Sequence, residues 1–223
     1  MKPIVLIPAR GGSKRIPFKN MKKLAGEPLI NYTINFAKSF TKNDRIVVSS
    51  DDEDILNHSA GLGVQVLERP TAYSSDIAKT GTVLSHFSES GALKNEDCII
   101  TLQPTNPFRS LKDLVAATKV YRKYSNQSKS LCSISKMNLK YGQLKNSIYQ
   151  PENYEIGQRS QDLSKKYFEN GQFYITSLDL AREGKVLDNS PLGWVCNNWY
   201  DFIDIDEDHD FTIAAMLMEK MKL

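Results

Sequence analysis

Apolar and polar positions alternate in blocks along the first 134 residues. Ile4-Val5-Leu6-Ile7 is apolar at every position, the pattern of a short strand buried on both faces of a parallel sheet. Leu29, Ile30, Ile34 and Ala37 recur at helical spacing and predict a helix over residues 29–40, with Pro28 at its start, where a missing N–H costs nothing. Arg45 to Ser50 reads as a second strand. Asp51 or Asp52 caps the helix that follows, whose inner side is Ile55, Leu56 and Leu62 and whose end is marked by Gly61 and Gly63. Val64 to Leu67 reads as a third strand, Glu68 to Ala78 as a loop and Lys79 to Ser90 as a helix. Cys98 to Leu102 is a fourth strand, stopped by the two prolines of Gln103-Pro104-Thr105-Asn106-Pro107. Ser110 and Asp113 form a capping-box variant that opens a helix to Tyr124, and Ser130 to Ile134 is a fifth strand. Strand and helix alternating in this way predict an α/β fold with a doubly wound, mostly parallel sheet.

The pattern changes from Ser135 to Phe168, which is rich in Lys, Asn, Gln, Ser and Tyr and has weak periodicity. It reads either as flexible chain or as an excursion of short strands away from the sheet. The chain rejoins the core at Gln172-Phe173-Tyr174-Ile175. Trp194 to Trp199 and Phe202 to Ile205 read as short strand-like runs. A last helix starts near Asp208, with Phe211, Ala214, Ala215 and Met218 on one side.

The chemistry concentrates where strands end. Arg10-Gly11-Gly12-Ser13-Lys14-Arg15 follows the first strand, and Arg10, Lys14, Arg15 and Lys19 place four cations within ten residues. Glycines there permit close backbone approach, and successive N–H groups of such a turn can form an anion-binding concavity. Open α/β sheets bind ligands at this edge. The turn therefore reads as a polyphosphate site, or else as a solvated basic turn. It fits neither the Walker A nor the dinucleotide fingerprint. Asp204 and Asp206, placed alternately along a predicted strand, would face one side together and suit Mg²⁺, or else read as solvated acids at a strand end that leads into the cap Asp208. Glu207 and Asp210 point elsewhere by the same period and read as capping or surface residues.

Pro8-Ala9-Arg10-Gly11-Gly12-Ser13-Lys14 with Pro17 and Lys19-Asn20 resembles the opening of the acylneuraminate cytidylyltransferases. The resemblance recurs at Gln103 to Pro107, at Asn170-Gly171-Gln172-Phe173-Tyr174 and at Ile203 to Asp206, so it spans nearly the whole chain. It implies a Rossmann-like nucleotidyltransferase that joins CTP to a nonulosonic acid and releases pyrophosphate. Arg10, Gly11, Gly12, Ser13, Lys14 and Lys19 match the triphosphate turn, and Asn20 matches a position near the nucleotide sugar. Arg69, Asp76 and Thr80 match the region that reads cytosine, although Asp76 also suits a helix N-cap. Gln103 matches a group that orients the attacking sugar hydroxyl, and no base is assigned. Lys140, Arg159, Asn170 and Tyr174 match the sugar site, and Asp204 and Asp206 the Mg²⁺ ligands. By the same resemblance, residues 135–168 form an arm that makes a homodimer and reaches the partner's active site, inserted in a catalytic core of residues 1–134 and 169–223.

The pattern departs from the sialic acid members at one place. Leu187 to Leu192 stands where they carry an aromatic pair, while Arg159-Ser160-Gln161-Asp162-Leu163 is similar to the pseudaminic acid branch. Sialic, legionaminic and pseudaminic acids all stay open as the sugar. A Kdo cytidylyltransferase is the nearest rival, but its loop lacks Gly-Gly-Ser-Lys. A non-catalytic sugar-nucleotide binder is a further rival, opposed by intact Arg10, Lys14, Asp204 and Asp206.

Composition narrows the remaining classes. A net charge of +3 gives no case for nucleic acid or membrane binding. No apolar run approaches the roughly 20 residues of a membrane span, and no cleavable leader pattern opens the sequence. Cys98, Cys132 and Cys196 are dispersed and read as reduced thiols of a cytoplasmic protein. His58, His86 and His209 fall on predicted helices away from the motifs and read as structural or surface residues.

Overall fold

A computed structural model describes residues 2–12, 15–70, 73, 80–93 and 96–221. The chain runs β1 Pro3–Pro8, β2 Lys23–Leu24, β3 Glu27–Pro28, α1 Leu29–Phe40, β4 Ile46–Ser50, α2 Glu53–Gly61, β5 Gln65–Glu68 and α3 Thr80–Glu89. It continues through β6 Cys98–Thr101, α4 Leu111–Tyr124, β7 Ser130–Met137, β8 Gly142–Lys145, β9 Ile148–Pro151, β10 Lys166–Ser177, α5 Leu178–Arg182, β11 Leu192–Cys196 and α6 Asp208–Met221.

Seven strands form the central sheet in the order β11-β7-β10-β6-β1-β4-β5. Of its six pairings, four are parallel, and the two made by β10 are antiparallel. The expected mostly parallel α/β sheet is therefore present. After β1 the chain adds β4 and β5 on one side and then returns to β1's other side with β6. That reversal is the point where such sheets open a ligand crevice beyond the carboxyl ends of their strands.

Local chemistry explains the element ends. Asp52 caps α2 by accepting from the Ile55 N–H at 3.0 Å, and Ser110 caps α4 by accepting from the Asp113 N–H at 3.2 Å. Val5, Ile7, Val48 and Ile100 of the sheet pack with Ile30 and Ile34 of α1 and with Leu114 and Ala117 of α4. The opposite face carries Ile4, Leu6, Val47 and Ile99 against Val83, Leu84 and Phe87 of α3. Burying both faces is what the unbroken apolar runs require.

Three expectations are corrected. The fifth strand runs on to Met137 rather than stopping at Ile134, because it pairs with the start of β10 at Lys166–Phe168. The strand-like run expected over Trp194 to Trp199 begins and ends earlier, as β11, Leu192–Cys196, which lies parallel to β7. The stretch from Phe202 to Ile205 is not a strand: it carries a single ladder-like bond, from the Ile205 N–H to the Thr105 carbonyl at 2.8 Å. The alternation survives there for another reason. Ile203 and Ile205 are buried among Ile16, Leu24 and Phe211, which turns Asp204 and Asp206 outward.

Beyond β7 the chain leaves the sheet. β8 and β9 form a hairpin through Asn146 and Ser147, both in the left-handed region at φ 49° and 66°, which suits a two-residue turn. The hairpin pairs with no other strand among the described residues. Apolar side chains on this excursion face outward: Leu144 is 72% and Ile156 89% exposed.

Candidate active site

Four strand ends converge on one crevice. β1 delivers Arg10, β4 delivers Asp51, β5 delivers Arg69 and β6 delivers Gln103. The cavity there has a volume of about 350 Å³ and is lined by Arg10, Arg69 and Gln103 together with Lys19, Asn20, Thr80, Asp204 and Asp206; Asp51 stands behind it. Ser13, Lys14 and Asp76 lie outside the described residues.

The basic loop is held by acidic partners. The Gly11 N–H donates to Asp51 Oδ1 at 3.1 Å, and the same oxygen lies 3.7 Å from Arg69 Nη2. Arg69 is buried, which lowers its pKa, while Asp51 acts in the opposite sense. Neither Gly11 nor Gly12 has a positive φ. Gly11 instead answers a close approach, since a Cβ there would lie 2.6 Å from Asp52 Cβ, whereas one on Gly12 meets nothing within 4 Å. Asn20 is buried and donates to the Arg10 carbonyl at 2.8 Å, so its amide ties the two ends of the loop together.

The acidic wall faces this loop. Lys19 Nζ donates to the Ile205 carbonyl at 2.7 Å and to Asp206 Oδ1 at 3.1 Å. Arg15 stays exposed and pairs with Asp206 Oδ2 at 3.1 Å. Asn106 Nδ2 donates to Asp204 Oδ1 at 3.1 Å, and among the described residues Asp204 Oδ2 has no protein partner. Asp210 Oδ2 accepts from the N–H groups of Asp206 and Glu207 at 2.9 and 2.8 Å, a capping role of the kind expected of it. No cluster of three or more metal-type side chains occurs among the described residues.

A second cavity of about 320 Å³ meets the first at Thr80 and Gln103 and is lined by Glu169, Tyr174, Val186 and Leu187. Burial and the Glu169 charge raise the Tyr174 pKa, so its hydroxyl keeps its proton and approaches Glu169 Oε2 at 3.4 Å. Asn170 lines neither cavity. It is buried and donates to Ser135 Oγ at 2.8 Å. It opens a bulge in β10 between Glu169 and Tyr174, where Gly171 takes φ 69°. Lys140 and Arg159 lie on the excursion, bound to the Gln158 carbonyl and, at 2.8 Å, to Asp162. They line neither cavity of their own chain. A larger cavity of about 660 Å³ lies beside the excursion among Met137, Leu139, Phe168, Trp199 and Phe202. Arg10, Lys19 and Arg69 do not line it.

The cytidylyltransferase family profile matches residues 4–188. The chain belongs to the cytidylyltransferase family. It is 35% identical over 184 residues to the pseudaminic acid cytidylyltransferase of Campylobacter jejuni subsp. jejuni, covering 78% of each chain. It is 30% identical over 231 residues to the CMP-N,N'-diacetyllegionaminic acid synthase of Legionella pneumophila subsp. pneumophila, covering 98% of this chain and 97% of that one. The solved structure of CMP:2-keto-3-deoxy-manno-octonic acid synthetase complexed with CTP superposes with a TM-score of 0.74, covering 99% of this chain and 100% of that one. At 14% identity that likeness shows the fold. This cytidylyltransferase is accordingly a nucleotidyltransferase of α/β fold. No helix among the described residues is long and apolar enough to cross a membrane.

Two features of the site are not legible as such in the sequence. Arg109, in the loop before α4, donates from Nε to the Gln172 carbonyl at 2.7 Å, from Nη1 to Thr33 Oγ1 at 3.0 Å and from Nη2 to the Gln103 carbonyl. Asp51, which the sequence offers as one of two possible caps, instead anchors the basic loop. The available signal for both is their position in a loop that follows a strand.

Proposed function

We propose that this cytidylyltransferase joins CTP to a nonulosonic acid, giving the CMP-sugar and pyrophosphate for surface glycan synthesis. The observation that carries this reading is the pair of contiguous cavities. One is walled by Arg10, Lys19 and Arg69, the other by Tyr174, Glu169 and Leu187, and Gln103 stands in both. The names of the Campylobacter and Legionella relatives support the same reading.

The triphosphate lies along Arg10, Lys14 and Lys19, with the N–H groups of Gly12 and Ser13 beside it. Arg69, Asp76 and Thr80 hold cytosine. The sugar occupies the second cavity, where Gln103 orients the anomeric hydroxyl toward the α-phosphorus. The new bond joins that oxygen to phosphorus, the α–β phosphoanhydride bond breaks, pyrophosphate leaves and the hydroxyl proton passes to solvent. Positioning and charge neutralisation lower such barriers.

Asp204 and Asp206 fit Mg²⁺ as hard oxygen donors that leave room for phosphate and water ligands. The open Oδ2 of Asp204 and the cation-paired Asp206 agree with a metal that arrives with the nucleotide. The ion, when bound, would neutralise charge developing on the departing pyrophosphate.

Residues 135–168 serve as the dimerisation arm, and Lys140 and Arg159 act in the partner's sugar site. The exposed apolar side chains on the arm support an occluding partner. Three buried free cysteines suit a cytoplasmic protein. Leu187 on the second cavity, in place of an aromatic, favours pseudaminic or legionaminic acid over sialic acid.

Titration calorimetry with CTP, UTP, ATP and GTP tests the nucleotide half of this reading. Selective CTP binding that weakens in an Arg69→Ala variant is the expected result. Equal binding of all four nucleotides would overturn it.

A further inference from the structure

Arg109 is half-buried, and burial pushes its guanidinium pKa down to about 9, partly offset by Asp204, so it keeps its charge at neutral pH. All three of its nitrogens are spent on neutral oxygens from three separate elements: Thr33 of α1, Gln103 beyond β6, and Gln172 in the β10 bulge. A guanidinium held mostly away from water and bound only to neutral acceptors carries a desolvation cost that Asp204 offsets in part.

The geometry around Gln103 shows what the three bonds hold. Its carbonyl also accepts the Asn106 N–H at 3.2 Å, closing the turn that Arg109 grips. Asn106 in turn holds Asp204 Oδ1. On the other side, a Cβ at Gly171 would lie 3.7 Å from Gln103 Oε1 and 3.3 Å from Asn106 Nδ2, so the bulge backs both amides. Arg109 fastens that bulge through the next residue, Gln172, whose own Nε2 donates to the Asp201 carbonyl at 3.1 Å.

We infer that Arg109 is a positioning residue. It locks the Gln103–Asn106 turn to the β10 bulge and to α1, and so sets Gln103 at the junction of the two cavities together with Asp204 on the acidic wall. It touches no substrate. It acts through Gln103 and, by way of Asn106, through Asp204. Lysine cannot replace it, because a single ammonium cannot meet three acceptors spread around a planar fork. The kinetic part of this inference rests on the proposed reaction, whereas the placement of the two amides does not.

The test compares wild type, Arg109→Lys, Gln103→Ala and the double variant. Arg109→Lys should lower kcat/KM for the sugar by about 100-fold, as expected when a reacting group is misplaced by roughly 1 Å, while CTP affinity holds. In the Gln103→Ala background the same substitution should cost much less, since the two residues act as one unit. A purely structural role would lower the melting midpoint, leave sugar kinetics per folded molecule unchanged and give additive losses, which would overturn the inference. If Arg109→Lys does not fold, Thr33→Val removes one of the three bonds and should give a smaller change of the same kind. Side-chain amide NMR signals of Gln103 and Asn106 provide a readout without turnover. They should shift in Arg109→Lys or Thr33→Val, and unmoved signals would refute the placement even if wild type proved inactive on every sugar tried.

Discussion

Gly11 and Gly12 look equivalent in the sequence and differ sharply in the structure. A Cβ at Gly11 would overlap Asp52 Oδ2 and lie 2.6 Å from Asp52 Cβ and 2.9 Å from Asp52 Cγ. Asp52 cannot simply swing away, because it caps α2 through the Ile55 N–H at 3.0 Å. Moving the cap costs about 1 kcal/mol. Moving the loop instead forfeits the Gly11 N–H bond to Asp51, also about 1 kcal/mol. With residual overlap, Gly11→Ala should lose about 2 kcal/mol of stability. A Cβ at Gly12 meets nothing within 4 Å, so Gly12→Ala should stay within about 0.5 kcal/mol of wild type. Urea denaturation of each variant measures the difference, and calorimetry with CTP shows whether the displaced loop also loses the nucleotide. Asp52→Gly removes the obstructing side chain at a cost of a few tenths of a kcal/mol at a cap. Gly11→Ala made in that background should recover most of its loss. Equal losses at the two glycines, or an undiminished loss in the Asp52→Gly background, would show that Asp52 is not what obstructs a side chain at position 11.

Other consequences follow from the same geometry. Asp206 is half-exposed; its pair with exposed Arg15 contributes little, and Lys19 keeps its bond to the Ile205 carbonyl without it, so Asp206→Ala should cost no more than about 1 kcal/mol of stability. Its turnover with Mg²⁺ should nonetheless fall by orders of magnitude, since metal stabilisation of the transition state contributes several kcal/mol; near-normal turnover would remove the metal assignment. Burial alone would raise the Asp188 carboxyl, but the N–H groups of Lys129 and Ser190 and the hydroxyls of Ser130 and Ser128 outweigh it and hold it below the usual range. Such a group adds stability above its unfolded pKa and loses it as pH falls through the folded one. The stability gap between wild type and Asp188→Asn should therefore be full near neutrality and close as melts are taken below about pH 4; a constant gap would contradict it. Leu144→Asp with Ile148→Asp charges the exposed hairpin without burying anything in the monomer. Light scattering should give the wild type twice the mass of one chain and the double variant half of that, and equal masses would count against the arm as an interface.

Local signals in the sequence carry far where they have local causes. Pro28, Asp52 and Ser110 set helix starts through their own backbone and side chains, so α1, α2 and α4 begin where the pattern places them. The antiparallel insertion of β10 between β6 and β7 is not legible, because pairing partners far apart along the chain leave no mark in a two-residue period. Asn170-Gly171-Gln172-Phe173 resembles a sugar-site motif in the sequence, and the structure makes it a bulge that supports Gln103 from behind. Asp204 and Asp206 share a side for a reason other than a strand: Ile203 and Ile205 are drawn into an apolar cluster. Arg109 escapes a sequence reading because an arginine among prolines looks like a surface charge until its three acceptors are seen.

The most direct measurement is pyrophosphate release from CTP and Mg²⁺, run in parallel with N-acetylneuraminic, legionaminic and pseudaminic acids and with Kdo, with the nucleotide product identified by mass spectrometry. Release is expected with at least one of the three nonulosonic acids, with a CMP-sugar as the co-product, and none without the acid. Release with Kdo alone, or with none of the four while CTP still binds, would contradict it.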